Sequence, residues 1–250
     1  MKRFGALTAF LFCLVFAFSA AEGASKKAKS AQEKPESKQD DRILRVQLFL
    51  DASAFKPGVI DGRWGEFTGQ ALSRYEAANG KSGEKFGEKA PDHFDLPLDG
   101  ARPALTSYTL TEADQKFVGV IPEKREEQAK LKQLPYATLL ELVAEKFHAK
   151  QEFLKELNPG FNWDQAKAGD EVKVPNVGTP FVLQEVVDLK TKTEKAEKKD
   201  ALKTETEKPE AERYSLGVDI AQKIMELKQG GKVVGSYPIT PGSSRLPAPK

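Results

Sequence analysis

Apolar positions along the chain fall into four blocks of different period. The first, Phe4 through Phe18, is continuous and uncharged, follows Lys2 and Arg3, and gives way to Ser19, Ala20 and Ala21. That is the layout of a signal peptide. It is short of the roughly 20 apolar residues that span a bilayer, so export, cleavage after Ala21 and no stable membrane anchor afterwards are expected. In the second block Ile43, Val46 and Leu50 recur at helical spacing before Lys56-Pro57-Gly58 breaks the helix. Val59-Ile60-Asp61-Gly62 then predicts a tight turn, with Gly62 free to take a positive φ. A second helix follows, with Phe67, Ala71, Leu72 and Tyr75 on one face and Gly80 as its C-terminal stop.

The third block opens with Thr138 and Glu141, the spacing of a capping box, and places Leu140, Val143, Ala144 and Phe147 at i, i+3, i+4 and i+7. Another helix carries Phe153, Leu154 and Leu157 and stops at Asn158-Pro159-Gly160. After Ala168-Gly169-Asp170 the alternation Glu171-Val172-Lys173-Val174, closed by Pro175, predicts a strand. In the fourth block Val218, Ile220, Ile224, Met225 and Leu227 surround a strand. Gly230-Gly231 offers the turn and Lys232 to Ile239 the return, which together predict an exposed hairpin.

Charge changes the picture locally, not globally. The chain has 39 Lys+Arg against 37 Asp+Glu, a formal charge of +2, so no whole-chain field favours nucleic acid. Residues 25–41 and 189–213 are rich in Lys and Glu and nearly free of apolar side chains; too little surface is buried there to offset ordering entropy, and they read as linkers. The single cysteine, Cys13, lies in the signal, so the mature chain is expected to lack disulfides, thiolate metal sites and a sulfur nucleophile. His93 and His148 are the only imidazoles and stand far apart, with His148 in a helical stretch. No metal and no cofactor is expected.

The second block, with Val46-x-Leu48-Phe49-Leu50, then Pro57-Gly58, then Val59-Ile60-Asp61-Gly62-Arg63-Trp64-Gly65 and Thr68 before Ala71-Leu72, resembles the three-helix peptidoglycan-binding domain of wall hydrolases and transpeptidases. Asp61, Gly62, Gly65 and Thr68 read as turn and cap residues. Trp64 reads either as a hydrophobic lid or as a sugar-stacking surface. The third block resembles a lysin-motif (LysM) domain, a βααβ fold that binds N-acetylglucosamine-containing glycans. The counterpart of its first strand is Tyr108-Thr109-Leu110-Thr111, separated from the helix by a charged insertion around 112–135. The resemblance implies glycan contacts from the loop after the second helix, Asn158, Pro159, Gly160 and Phe161, a stretch that the residues alone read equally as a helix terminus.

The fourth block, Val218-Asp219 with Gln222 and Leu227, then Gly230-Gly231-Lys232-Val233-Val234 and Ser236-Tyr237-Pro238-Ile239-Thr240-Pro241-Gly242, then Pro247-Ala248-Pro249-Lys250, looks like the opening of an L,D-transpeptidase catalytic domain. That family uses a histidine and a cysteine in a His…Ser-x-Gly-Cys arrangement further along, so no catalytic residue is assigned here and the chain is expected to be a fragment of a longer protein. The expected fold class is α+β. The divisions are a signal peptide at 1–21, a disordered linker at 22–41, a peptidoglycan-binding domain at 42–80, a connecting region at 81–135, a LysM-like domain at 136–176, a charged linker at 177–213 and the start of the catalytic domain at 214–250. The expected function is the exported, peptidoglycan-binding part of an L,D-transpeptidase that cross-links stem peptides. A non-catalytic peptidoglycan-binding or scaffold protein is the alternative.

Overall fold

Helix α1, Asp41–Ala52, begins where Asp40 accepts from the backbone N–H of Arg42 at 2.8 Å, so folded structure starts inside the segment expected as linker. The structure is a computed structural model and describes residues 39–98, 102–185, 187–188 and 209–241. The signal peptide, its cleavage point and Cys13, most of both linkers, and Pro247 to Lys250 lie outside the described residues.

The fold is mixed α+β. In chain order come α1, α2 (Glu66–Ala78), β1 (Leu105–Thr109), α3 (Glu112–Gln115), α4 (Arg125–Gln128), α5 (Leu139–Lys146), α6 (Gln151–Leu157), β2 (Glu171–Pro175), β3 (Tyr214–Asp219), β4 (Ile224–Gln229) and β5 (Lys232–Pro238). They build two antiparallel sheets, β1-β2 and β3-β4-β5.

The first module differs from the three-helix expectation. Its described residues hold two helices, α1 and α2, and an irregular segment at 81–98 whose Phe86, Phe94, Leu96 and Leu98 close over them. Ile43, Val46 and Leu50 meet Ala71 and Leu72 as the helical spacing requires, whereas Phe67 is only half-buried and rests on Gly58. Residues beyond the expected boundary at 80, as far as Leu98, therefore pack with this module. Phenylalanines spaced without helical period give no sign, in sequence, of which surface they will cover.

In the second module Leu105 to Thr109 pairs with Pro175 to Glu171, and α5 and α6 pack against this two-stranded sheet. Thr138 caps α5 by accepting from Glu141 N at 3.1 Å, but the Glu141 carboxylate returns to Ala137 N at 2.7 Å, one residue ahead of the cap. A full capping box instead opens α3, between Thr111 and Asp114. Asp114 is buried and accepts from Tyr108 Oη at 2.5 Å and Lys146 Nζ at 2.8 Å, which ties the start of the insertion to β1 and α5. Val177, Phe181 and Leu183 pack on the same core, so residues expected as linker complete this module.

The third module has three strands where two were expected. Tyr214 to Asp219 pairs with Gln229 to Ile224, and β4 pairs with β5 across the Gly230-Gly231 turn. Lys223, at φ 57, and the bond from Gln222 N to Asp219 Oδ1 at 2.9 Å make the turn between β3 and β4.

These modules dock on one another and do not hang separately on spacers. The segment between α1 and α2 bonds β5 at one end, with Lys56 N to Ser236 O at 2.8 Å and Ser236 N to Ala54 O at 3.0 Å. At the other end it bonds the start of α6, with Ile60 N to His148 O at 2.6 Å and Lys150 N to Ile60 O at 3.1 Å. Leu44 and Ile60 share a buried cluster with Ala104 and Phe153 of the second module. Arg63 pairs with Glu156 at 3.0 Å and Arg74 with Glu226 at 3.3 Å. Charge composition reports how a linker is solvated but carries no information about which folded faces meet.

Candidate glycan groove

The turn residues of the first module converge on a side chain that periodicity does not single out. Gln47, 1% exposed, donates to Asp61 Oδ1 at 3.0 Å and to Arg63 O at 3.1 Å, and its oxygen accepts from Asp61 N at 3.1 Å and Gly62 N at 2.8 Å. The turn is thereby fixed to α1 through buried amide bonds, with Asp61 Oδ1 also accepting from Arg63 N at 2.9 Å. Gly62 holds φ 68 as expected. Gly65 is the N-cap of α2, while Thr68 lies within that helix, buried 3.4 Å from Gln47 Nε2, and is no cap.

Trp64 is 7% exposed. Its ring lies between Phe86 and Phe94, at centroid separations of 6.0 and 5.8 Å, and Nε1 donates to Gly87 O at 3.1 Å. Of its two sequence readings the lid holds: the indole is core, and no open ring face remains for a sugar.

The loop after α6 is arranged differently. Asn158 caps α6; both amide hydrogens are taken, by Leu154 O and Lys173 O at 2.8 Å each, and Oδ1 accepts from Lys173 N at 2.7 Å. The side chain stands in for a strand beside β2 and holds the loop in place. Gly160, at φ 81, turns the chain, and Phe161 meets Trp163 edge to face at 5.0 Å. Around this loop is a groove of about 470 Å³. Its walls are Thr138 and Leu140 from the start of α5, Gln151 and Lys155 from α6, and Asn158, Gly160, Phe161, Asn162, Trp163 and Asp164 from the loop. Pro159 is exposed and does not line it.

The structure thus brings Asn158, Gly160 and Phe161 together and leaves Trp64 elsewhere. Sequence reasoning missed Gln151, Lys155 and Trp163. The signal for Trp163 was present, as an aromatic between two turn-forming polar residues in Asn162-Trp163-Asp164. Trp163 Nε1 is buried without a hydrogen-bond partner among the described residues. Amide side chains, one lysine, one aspartate and an aromatic pair make a lining suited to a neutral polyhydroxylated ligand. Among the described residues no group of three His, Cys, Asp or Glu could hold a metal ion, and no helix is long and apolar enough to cross a membrane.

The titratable cluster closest to chemistry is structural. Asp51 is buried, which pushes its pKa up, but hydrogen bonds from His148 and Lys56 outweigh the burial and hold it below the usual carboxylate range. His148 stands past the end of α5, not within it, with Nδ1 3.0 Å from Asp51 and its ring stacked on Phe181. Neither family models nor curated proteins give a match to this chain, so the functional reading rests on the chemistry of the groove.

Proposed function

We propose that this chain is the exported, peptidoglycan-binding part of an L,D-transpeptidase, and that it holds N-acetylglucosamine-containing glycan in the groove between α5, α6 and the Asn158–Asp164 loop. The observation that carries the reading is the groove itself, placed at α5 and α6, which pack on the paired strands β1 and β2, and lined by amides and aromatics. Sugar rings lie against Phe161, acetamido groups bond Gln151 and Asn162, and Asn158 acts as a positioning residue because its own amide is fully paired. Trp64, inside the first module, is left out of the proposed sugar contacts.

The transpeptidase part of the proposal rests on the resemblance of the third module. Acyl transfer between stem peptides needs a thiolate, and the one cysteine is Cys13 in the signal. A second reading is a non-catalytic peptidoglycan-binding scaffold that uses the same groove, since the groove by itself carries binding and not acyl transfer.

Co-sedimentation of the mature protein with insoluble peptidoglycan at physiological salt tests the shared claim. Retention in the pellet, with release by soluble N-acetylglucosamine oligomers and loss in Phe161→Ala, is expected. Protein that stays in the supernatant sinks it. Sequencing the coding region past Lys250 for a His and Cys motif separates the two readings.

A further inference from the structure

Helices α1, α2 and α5 end in the same way. In each, the second residue beyond the C-cap donates back to a carbonyl in the last turn, as in Phe55 N to Leu50 O at 3.0 Å, Lys81 N to Glu76 O at 2.9 Å and Ala149 N to Ala144 O at 2.7 Å. The residue between is left-handed each time. At α2 it is Gly80, the residue suited to that conformation, and Lys81 and Ser82 just beyond it are exposed. At α1 and α5 it is Ala54, φ 64, and His148, φ 52. Non-glycine residues persist there when their surroundings over-determine the backbone. Both surroundings are module seams, since Ala54 O accepts from Ser236 N and His148 O accepts from Ile60 N.

The two strained ends meet. Asp51, in the last turn of α1, has Oδ1 2.9 Å from Lys56 Nζ and 3.0 Å from His148 Nδ1, and it is 5% exposed. Lys56 belongs to the strap at 55–60, whose own N–H bonds Ser236 of the third module. His148 belongs to the second module. Gly235 completes the fit: a Cβ there would lie 3.1 Å from both Ala54 O and Tyr237 Oη, so the sheet sits close to the residue before the strap and a side chain at 235 would have to displace its neighbours.

We infer that the strap at 55–60 is a two-sided latch, bolted by Asp51, which makes docking of the second module and docking of the third module a single cooperative event. Opening one seam frees the strap at its other end, because six residues fixed at both ends and pinned at the base cannot shift at one end alone. The inference goes beyond the glycan reading and does not require a ligand. Its consequence does rest on that reading: Lys150, the N-cap of α6, bonds Ile60, and α6 presents Gln151 and Lys155 to the groove, so glycan seated there stabilises the docked β-sheet.

Amide hydrogen exchange on the full chain tests the latch by breaking one seam and reading the other. Gly235→Val, which pushes the sheet from Ala54, is expected to speed exchange at Ile60 and Lys150 at least tenfold while Val46 and Leu50 stay protected. Asp51→Asn is expected to speed exchange at Lys56, Ser236, Ile60 and Lys150 by a common factor. Acceleration of Lys56 and Ser236 alone in the first variant, or of Ile60 and Lys150 alone in the second, overturns the latch. Should Gly235→Val also expose Val46 and Leu50, the Asp51→Asn pattern decides. Chitotetraose added to the unsubstituted chain is expected to slow Ser236 at least threefold. Binding without that slowing removes the link from groove to sheet, whereas no binding counts against the glycan reading and leaves the latch result standing.

Discussion

Two tryptophans in similar local settings, Trp64 and Trp163, are about equally buried, at 7% and 8% exposed, yet differ in what completes them. Trp64 follows a turn, is enclosed by Phe86 and Phe94, and has its N–H satisfied by Gly87 O. Trp163 also follows a turn, but it lines a groove and its N–H has no partner among the described residues. The two amides beside them repeat the contrast. Gln47 is wholly internal and clamps the Asp61–Arg63 turn, while Asn158 clamps its loop at the edge of open space. The lesson is that one loop is completed by its own protein and the other leaves room for a guest.

Removing Trp64 attacks the completed side most directly. Trp64→Ala is expected to cost about 3–5 kcal/mol in urea unfolding, through lost burial and the cavity left between the phenylalanines. Chitotetraose affinity of the protein that remains folded should not change; a fall in affinity equal to that of a groove variant would merge the two sites and break the comparison.

Gln47→Leu keeps the volume but strands the N–H groups of Asp61 and Gly62, at about 1–3 kcal/mol for each donor left unpaired. The same denaturation series measures it. A loss under ~0.5 kcal/mol would mean that the turn holds without its clamp.

Acid sharpens the contrast between seam and groove. Asp51 and Asp114 both have folded pKa values below the ordinary 3.8, Asp51 despite burial because of His148 and Lys56, and Asp114 despite burial because of Lys146, Tyr108 and Thr111. A depressed folded pKa gives stability that is complete above the unfolded value and is lost as pH falls through the folded one. Unfolding free energy should therefore drop below about pH 4, and Asp51→Asn should flatten that drop while lowering stability at pH 7. An identical acid limb in the variant would remove Asp51 from the account.

On the open side, Phe161→Ala is expected to weaken chitotetraose binding roughly tenfold, or about 1.4 kcal/mol, by isothermal titration, and to change stability by less. The smallest effect belongs to Ser236→Ala. Its hydroxyl is buried without a partner among the described residues, so its removal should move stability by no more than about 0.5 kcal/mol in either direction.

Much of the local structure was legible in the residues. Ile43, Val46 and Leu50 bury one face of α1 as their spacing requires. Gly62 and Gly80 take positive φ, Asn158-Pro159-Gly160 ends α6, and Gly230-Gly231 turns β4 into β5. Strand β3 was missed because its outer residues, Leu216 and Val218, stay exposed, so burial gave no reason to separate it from the turn that follows. Gln47 was missed because a glutamine among leucines reads as the polar side of a helix; only a facing turn with two free N–H groups makes it interior.

The sequence by itself determined where helices and turns begin and stop, since capping, φ preference and apolar period act over a few residues. Tertiary structure alone decided that Trp64 is covered, that Trp163 borders a groove, and that Asp51, Lys56 and His148 converge from two modules. Those outcomes depend on which surfaces meet across tens of residues, and no short-range preference encodes the identity of a distant neighbour.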